Sequence, residues 1–203
     1  MELFYKTMKP TENEMVLDVG AQAGNNCKSM QFINRYPWKK NISAVNISTE
    51  HIVFINKFYP EVNTVVADAC KLPWPDKYFD IVYSNAVIEH VGTFQRQMEM
   101  AGEIMRVGKR WFVTTPNRWY PYEFHSRLPL VTWLPFDSYL WISRLISYNH
   151  IKGKYTVGIK KRGNLRLMNS RELQKCFPDS KIIKQRVTLM SETLIAIGSD
   201  FRR

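Results

Sequence analysis

Cysteine is scarce and poorly spaced for any structural use: Cys27, Cys70 and Cys176 form an odd, widely separated set with no Cys-x-x-Cys pair. Neither a disulfide framework nor a zinc site is suggested, and a reducing compartment is the default setting. An internal repeat and a low-complexity segment are also missing. The start, Met1 to Lys6, has no basic segment leading into an apolar core, so no secretory signal is expected. The most apolar stretch, Leu128 to Ser147, is interrupted by Pro129, Pro135, Asp137 and Arg144 and does not read as a membrane span. The expected location is the cytoplasm, with the periphery of a membrane as the alternative.

Acids are in deficit, 18 Asp and Glu against 29 Lys and Arg, for a net charge of +11. The excess is concentrated. Residues 151 to 176 hold eight Lys and Arg and one acid, leaving only +4 to the rest of the chain. A block of that kind attracts phosphate-bearing partners, whether nucleic acid, anionic lipid headgroups or a diphosphate-linked substrate; a plain solvated loop is the other reading.

What is present is an ordinary globular composition, 45% hydrophobic and 13% aromatic, enough for one domain spanning residues 1–203. Met1 to Met8 reads as a short helix stopped at Lys9-Pro10. Strands are expected at Met15 to Gly20, Ile42 to Ile47, Val62 to Ala67, Phe79 to Ser84 and Trp111 to Thr115. Between them lie helices at Asn25 to Tyr36, Thr49 to Phe58 and Phe94 to Val107, the last capped by Gly108. After Pro116 the alternation stops for about fifty aromatic and basic residues, an insertion at about 117–167. A helix from Ser170, with Ser170 as its cap, and two strands, Lys181 to Leu189 and Glu192 to Ile197, close the chain. Strict alternation of strand and helix predicts a doubly wound α/β fold.

The stretch Val16-Leu17-Asp18-Val19-Gly20-Ala21-Gln22-Ala23-Gly24-Asn25 reads as a buried strand running into a glycine-bearing turn, the place where a nucleoside-type ligand meets backbone N–H groups. Taken with Ala67 to Asp76 and Phe79 to Val91, in order and spacing, it resembles the class I S-adenosylmethionine-dependent methyltransferases, in the small type 11 group. The resemblance runs over nearly the whole chain to Gly198. It implies a Rossmann-like sheet of seven strands, mostly parallel with a closing antiparallel hairpin and helices on both faces, and S-adenosylmethionine as cofactor.

The resemblance assigns Asp18, Gly20, Ala21 and Gly24 to the methionyl and ribose side. Asn46, with Ile47 beside it, stands where the family usually has an acid for the ribose diol; a neutral amide there forgoes a charge-assisted bond. Asp68 matches the acid that takes the adenine amino group, with the Ala69 N–H on the ring nitrogen and Leu72 on the ring face. Ser84 and Asn85 end the fourth strand and complete the set. Gln22 departs from the usual glycine: either it carries backbone strain or its side chain is free to bond the cofactor carboxylate.

For the acceptor, Glu89 and His90 follow the fourth strand, and a histidine titrates in the right range to take a proton from a hydroxyl or amine. His125, in the aromatic loop after the fifth strand, is a further catalytic candidate. His51 and His150 have no comparable context. In related quinone O-methyltransferases an acid three residues before the Glu-His pair helps to bind a metal; here it is Ala86, and no metal is expected. The combined expectation is methyl transfer to oxygen, ahead of nitrogen, of a small or lipid-linked acceptor. An anionic membrane surface is an expected partner through residues 128–166. Two alternatives stay open: a nucleic-acid methyltransferase, which lacks support from Ser84-Asn85-Ala86-Val87, and a binding protein that catalyses nothing.

Overall fold

Val16-Leu17-Asp18-Val19 is buried at every position, and a strand buried on both faces needs a layer of structure on each side. A computed structural model of the chain supplies both layers and describes residues 1–22, 32–123, 126–149, 153–157, 165–186 and 189–199. The elements up to the middle of the chain are α1 (Glu2–Met8), β1 (Val16–Val19), α2 (Phe32–Arg35), β2 (Ile42–Asn46), α3 (Thr49–Phe58), β3 (Asn63–Val66), β4 (Phe79–Asn85), α4 (Phe94–Val107) and β5 (Gly108–Pro116). There follow β6 (Tyr122–Glu123), β7 (Leu128–Pro129), α5 (Phe136–Leu145), β8 (Ile146–Asn149) and β9 (Lys154–Val157). The chain closes with α6 (Ser170–Cys176), β10 (Lys181–Arg186) and β11 (Ser191–Ser199).

One sheet of seven strands runs β10-β11-β5-β4-β1-β2-β3. Its central pairs are parallel, while β11 pairs antiparallel with both β5 and β10, which is the expected closing hairpin. Alternate residues of each strand feed two cores. Leu17, Val19 and Val82 pack with α4 and α6, while Val16, Ile42, Ala44 and Tyr83 pack with α1, α2 and α3.

The sequence-predicted spans of α3 and α4 agree with the structure to the residue. Gly108 is the C-cap of α4 as expected, its N–H donating to Ile104 O, but Ser170 is not the cap of α6. Gly108 has φ −102° and ψ 142°, so it is the first residue of β5; a Cβ there would lie 2.5 Å from Val82 Cγ2, which is why glycine is needed. Asn169 rather than Ser170 caps α6, because its side chain accepts from the N–H of Glu172 while the Glu172 carboxylate accepts from its own N–H, a reciprocal capping box. The expected helix from Asn25 falls largely outside the described residues.

Between Asn117 and Leu167 the described residues build two small antiparallel pairs outside the large sheet, β6 with β7 and β8 with β9, together with α5. Val131, Tyr139, Leu165 and Leu167 form a small core of their own beneath α5. Among the described residues no helix is long and apolar enough to cross a membrane.

Candidate active site

β1 lies between β2 and β4, so the connections leaving it and β4 pass to opposite faces and open a crevice at the carboxyl ends of the strands. A cleft of about 400 Å³ sits there, with Gly20, Gln22, Asn46, Asp68, His90 and Arg96 in its wall. That is the size of a small-molecule site.

The turn after β1 is hung from its neighbour: the N–H groups of Gly20 and Ala21 both donate to Val45 O, at 2.8 and 3.1 Å. Gly20 has φ +79°, and a Cβ on it would fall 2.3 Å from Val87 Cγ2, in the loop after β4. Ala21 is buried just below, whereas Gln22 is exposed on the cleft. Gln22 lines the cleft and is not among the described non-glycine residues with positive φ. Ala86, in the opposite wall, takes that conformation instead, with φ 54° and its N–H on Thr114 O at 3.0 Å. A left-handed alanine costs roughly 1–2 kcal/mol and persists where surrounding structure imposes it.

Asn46 is committed to the backbone. Its Nδ2 donates to Ala21 O at 2.8 Å and its Oδ1 accepts from Ser48 N at 2.8 Å, tying the end of β2 to the turn after β1. A carboxylate could do only the second. Asn46→Asp, which restores the family's usual acid, is therefore expected to set two oxygens against each other. It should lower stability by about 1–3 kcal/mol without tightening cofactor binding, as read by thermal melts and calorimetric titration.

Asp68 is in the wall, with Ala69 next to it. Its Oδ1 accepts from Cys70 N at 2.9 Å and its Oδ2 meets the Arg96 guanidinium at 2.6 Å. The Cys70 N–H first, and then Arg96, hold the carboxyl below its ordinary range, so it stays an ionised acceptor at neutral pH. A carboxylate oxygen has more than one lone pair, which leaves room for an adenine amino group. Leu72 is buried in the core and is not among the residues that line the cleft. Glu103 and Arg106 clasp it there, accepting its N–H at 2.7 Å and donating to its carbonyl at 3.0 Å.

Asp18 is likewise buried and not among the lining residues. Strand alternation turns it away from Leu17 and Val19 toward the face of Phe32 and Tyr83, and burial pushes its carboxyl up to about 7. Ser84 is fully buried, donating to Val19 O at 3.1 Å and fastening β4 to β1. Asn85 accepts from the Thr114 hydroxyl at 2.7 Å and opens on a different cleft of about 430 Å³, beside Met1 and Lys6 of the α1 region. Ile47 is 72% exposed and does line the first cleft.

The catalytic candidates separate. His90 is exposed in the cleft wall. Glu89 is fully buried, its carboxylate accepting from the Thr115 hydroxyl at 3.0 Å, so it positions the turn that carries His90. His125 and Gly24 lie outside the described residues. His51 and Arg96 are in the wall but were not singled out as site residues in the sequence. His51 is in the first turn of the helix that follows β2, a place where side chains face this crevice. For Arg96, 28 residues from Asp68, no local pattern gives the pairing.

Residues 17–111 match the family model described as a methyltransferase domain. A Mycobacterium tuberculosis protein named "Probable S-adenosylmethionine-dependent methyltransferase" is 29% identical over 39% of this chain and 29% of its own length. A ubiquinone biosynthesis O-methyltransferase of Chelativorans is 26% identical over 56% of this chain and 44% of its own. The chain thus covers less than half the length of these curated relatives. A crystal structure of a Pyrococcus horikoshii protein superposes with a TM-score of 0.62 at 17% identity, covering 98% of this chain and 86% of that one. The order of the sheet, the crevice at β1 and the matched segment agree: over a little under half of its length the chain is similar to the methyltransferase domain family, and its sheet has the fold of the Pyrococcus horikoshii protein.

Proposed function

We propose that the chain binds S-adenosylmethionine in the cleft at the carboxyl end of β1 and transfers its methyl group to oxygen, ahead of nitrogen, of a small or lipid-linked acceptor. The observation that carries this reading is one wall combining the Gly20 turn, the Asp68 carboxylate and the exposed His90. The residues present fit the cofactor: Asp68 is an ionised acceptor for an amino group, Gly20 leaves backbone close to the ligand, and Val45, Ala67 and Val87 give apolar surface to a ring. The cofactor supplies an electrophilic methyl group. The protein aligns the attacking atom with it, and alignment alone accounts for much of the rate. His90 receives the proton that the acceptor hydroxyl gives up, while Glu89 and Thr115 hold its turn in place.

Calorimetric titration with S-adenosylmethionine and S-adenosylhomocysteine is the first test. Binding is expected to be weakened at least tenfold by Asp68→Ala. Incubation with methyl-labelled cofactor and a lipid extract or an aqueous small-molecule fraction then locates the acceptor. His90→Gln is expected to slow label transfer about 100-fold with cofactor affinity unchanged. No binding up to millimolar cofactor would leave the fold as a binding module and sink the enzymatic reading.

A further inference from the structure

Of the large hydrophobic residues that stand exposed among the described residues, half lie between 117 and 157, about a fifth of the chain. Three are tryptophans, Trp119, Trp133 and Trp141, at 49%, 46% and 65% exposure. They are held by the local fold. The Trp133 indole N–H donates to Trp119 O at 3.2 Å, which brings those two segments together. Along α5, Tyr139 and Ile142 turn inward to Val131 and Leu165, and Trp141 therefore falls on the opposite, outward face. Leu130 and Leu134 flank Trp133 in the chain, and Ile146 of β8 is paired with Val157 of β9, all four exposed.

The same stretch of sequence, 117–167, has nine Lys and Arg against two acids. One of those acids, Glu123, is buried and bonded to Ser126. The stretch is also joined to the active site. Arg118 N donates to Met168 O at 3.0 Å and Arg166 N to Glu89 O at 2.8 Å, one residue from His90 in the cleft wall.

We propose that the face built by Trp119, Trp133, Leu134 and Trp141 docks the protein on the surface of an anionic lipid bilayer. Indole rings sit at headgroup level, with an apolar body toward the acyl chains and an N–H toward water. Arg118, which lies over the Trp119 ring and donates to Leu134 O, gives this face a cation for the lipid phosphates. A single-stranded nucleic acid also stacks on aromatic rings, but bases gain little from exposed Leu130, Leu134, Ile146 and Val157, whereas acyl chains gain from all four. The bond from Arg166 N to Glu89 O ties the docking stretch to the turn that carries His90. The inference does not depend on methyl transfer.

The test is sedimentation of the full chain with vesicles of phosphatidylcholine alone or with about 30% phosphatidylglycerol, at low and high salt. The expected result is at least tenfold more binding to the anionic vesicles at low salt, a blue shift of tryptophan emission, and loss of both in Trp133→Ala with Trp141→Ala. Cofactor titration of that variant should match the parent; if it does not, Trp141→Ser alone, altering one outward side chain, carries the test. Three results would overturn the proposal: no binding to anionic vesicles, a dimer that the same substitutions dissociate, or binding confined to a single-stranded RNA oligomer.

Discussion

Gly20→Ala is expected to cost the protein about 3 kcal/mol of stability and to abolish measurable cofactor binding. Two penalties coincide at this position. The backbone sits at φ +79°, where an added Cβ costs roughly 1–2 kcal/mol. That Cβ would also land 2.3 Å from Val87 Cγ2 and 2.7 Å from Cγ1, a contact that side-chain rotation alone does not relieve because Val87 Cβ is itself at 3.0 Å. Overpacking of this kind typically costs a further 1–3 kcal/mol.

The loss of function follows from where the strain must go. Either the turn after β1 moves, breaking the bonds from Gly20 and Ala21 to Val45 O, or the Ala86–Val87 segment moves, and both are walls of one cleft. Urea denaturation and cofactor titration of the same variant read the two effects. The double change Gly20→Ala with Val87→Ala should recover part of the stability by removing the two closest contacts, while the 3.0 Å approach to Val87 Cβ and the positive φ remain. A single variant that melts with the parent and binds cofactor normally would show that this turn is not the floor of the site.

Much of this architecture is legible in the sequence because its determinants are local. Thr49 to Phe58 and Phe94 to Val107 announce themselves by apolar spacing and by the Tyr59-Pro60 and Gly108 breaks. The strands announce themselves as short apolar runs, as a parallel sheet covered on both faces requires. The cap of α6 is also legible, since Asn169 and Glu172 have the spacing of a capping box, but the neighbouring Ser170 is an equally good capping residue type and competes for the assignment. What escapes depends on distant neighbours. Whether Asp18 faces a ligand or a helix depends on which core its side of β1 belongs to. Leu72 is held in the core by Glu103 and Arg106 from another element, and Arg96 reaches Asp68 across 28 residues. Asn46 reads in the sequence as a weakened ribose ligand, yet the Ala21 carbonyl it donates to is reason enough for an amide at that place.

Asp18→Asn is expected to change the pH dependence of stability more than any other single substitution in the site. Burial raises the Asp18 carboxyl from its ordinary value near 4 to about 7, so between those limits the folded protein holds a proton that the unfolded chain gives up. Stability therefore falls as pH rises through that window, and the loss is complete above the folded value. A rise of that size corresponds to at most about 4 kcal/mol, and structural relaxation makes about 2 kcal/mol the expected figure. Urea melts from pH 5 to pH 8 should show the parent losing stability and the asparagine variant losing less, with the variant the more stable at pH 8. Cofactor binding reads the same group from the other side. If the cationic methionyl end of the cofactor binds beside the turn after β1, it would favour the ionised carboxylate, and binding near pH 7 should then release up to one proton in the parent and none through this group in Asp18→Asn. Calorimetry in buffers of different ionisation enthalpy measures that release directly. Parallel stability curves with equal proton release would mean that Asp18 is ionised throughout, held by a partner rather than suppressed by burial.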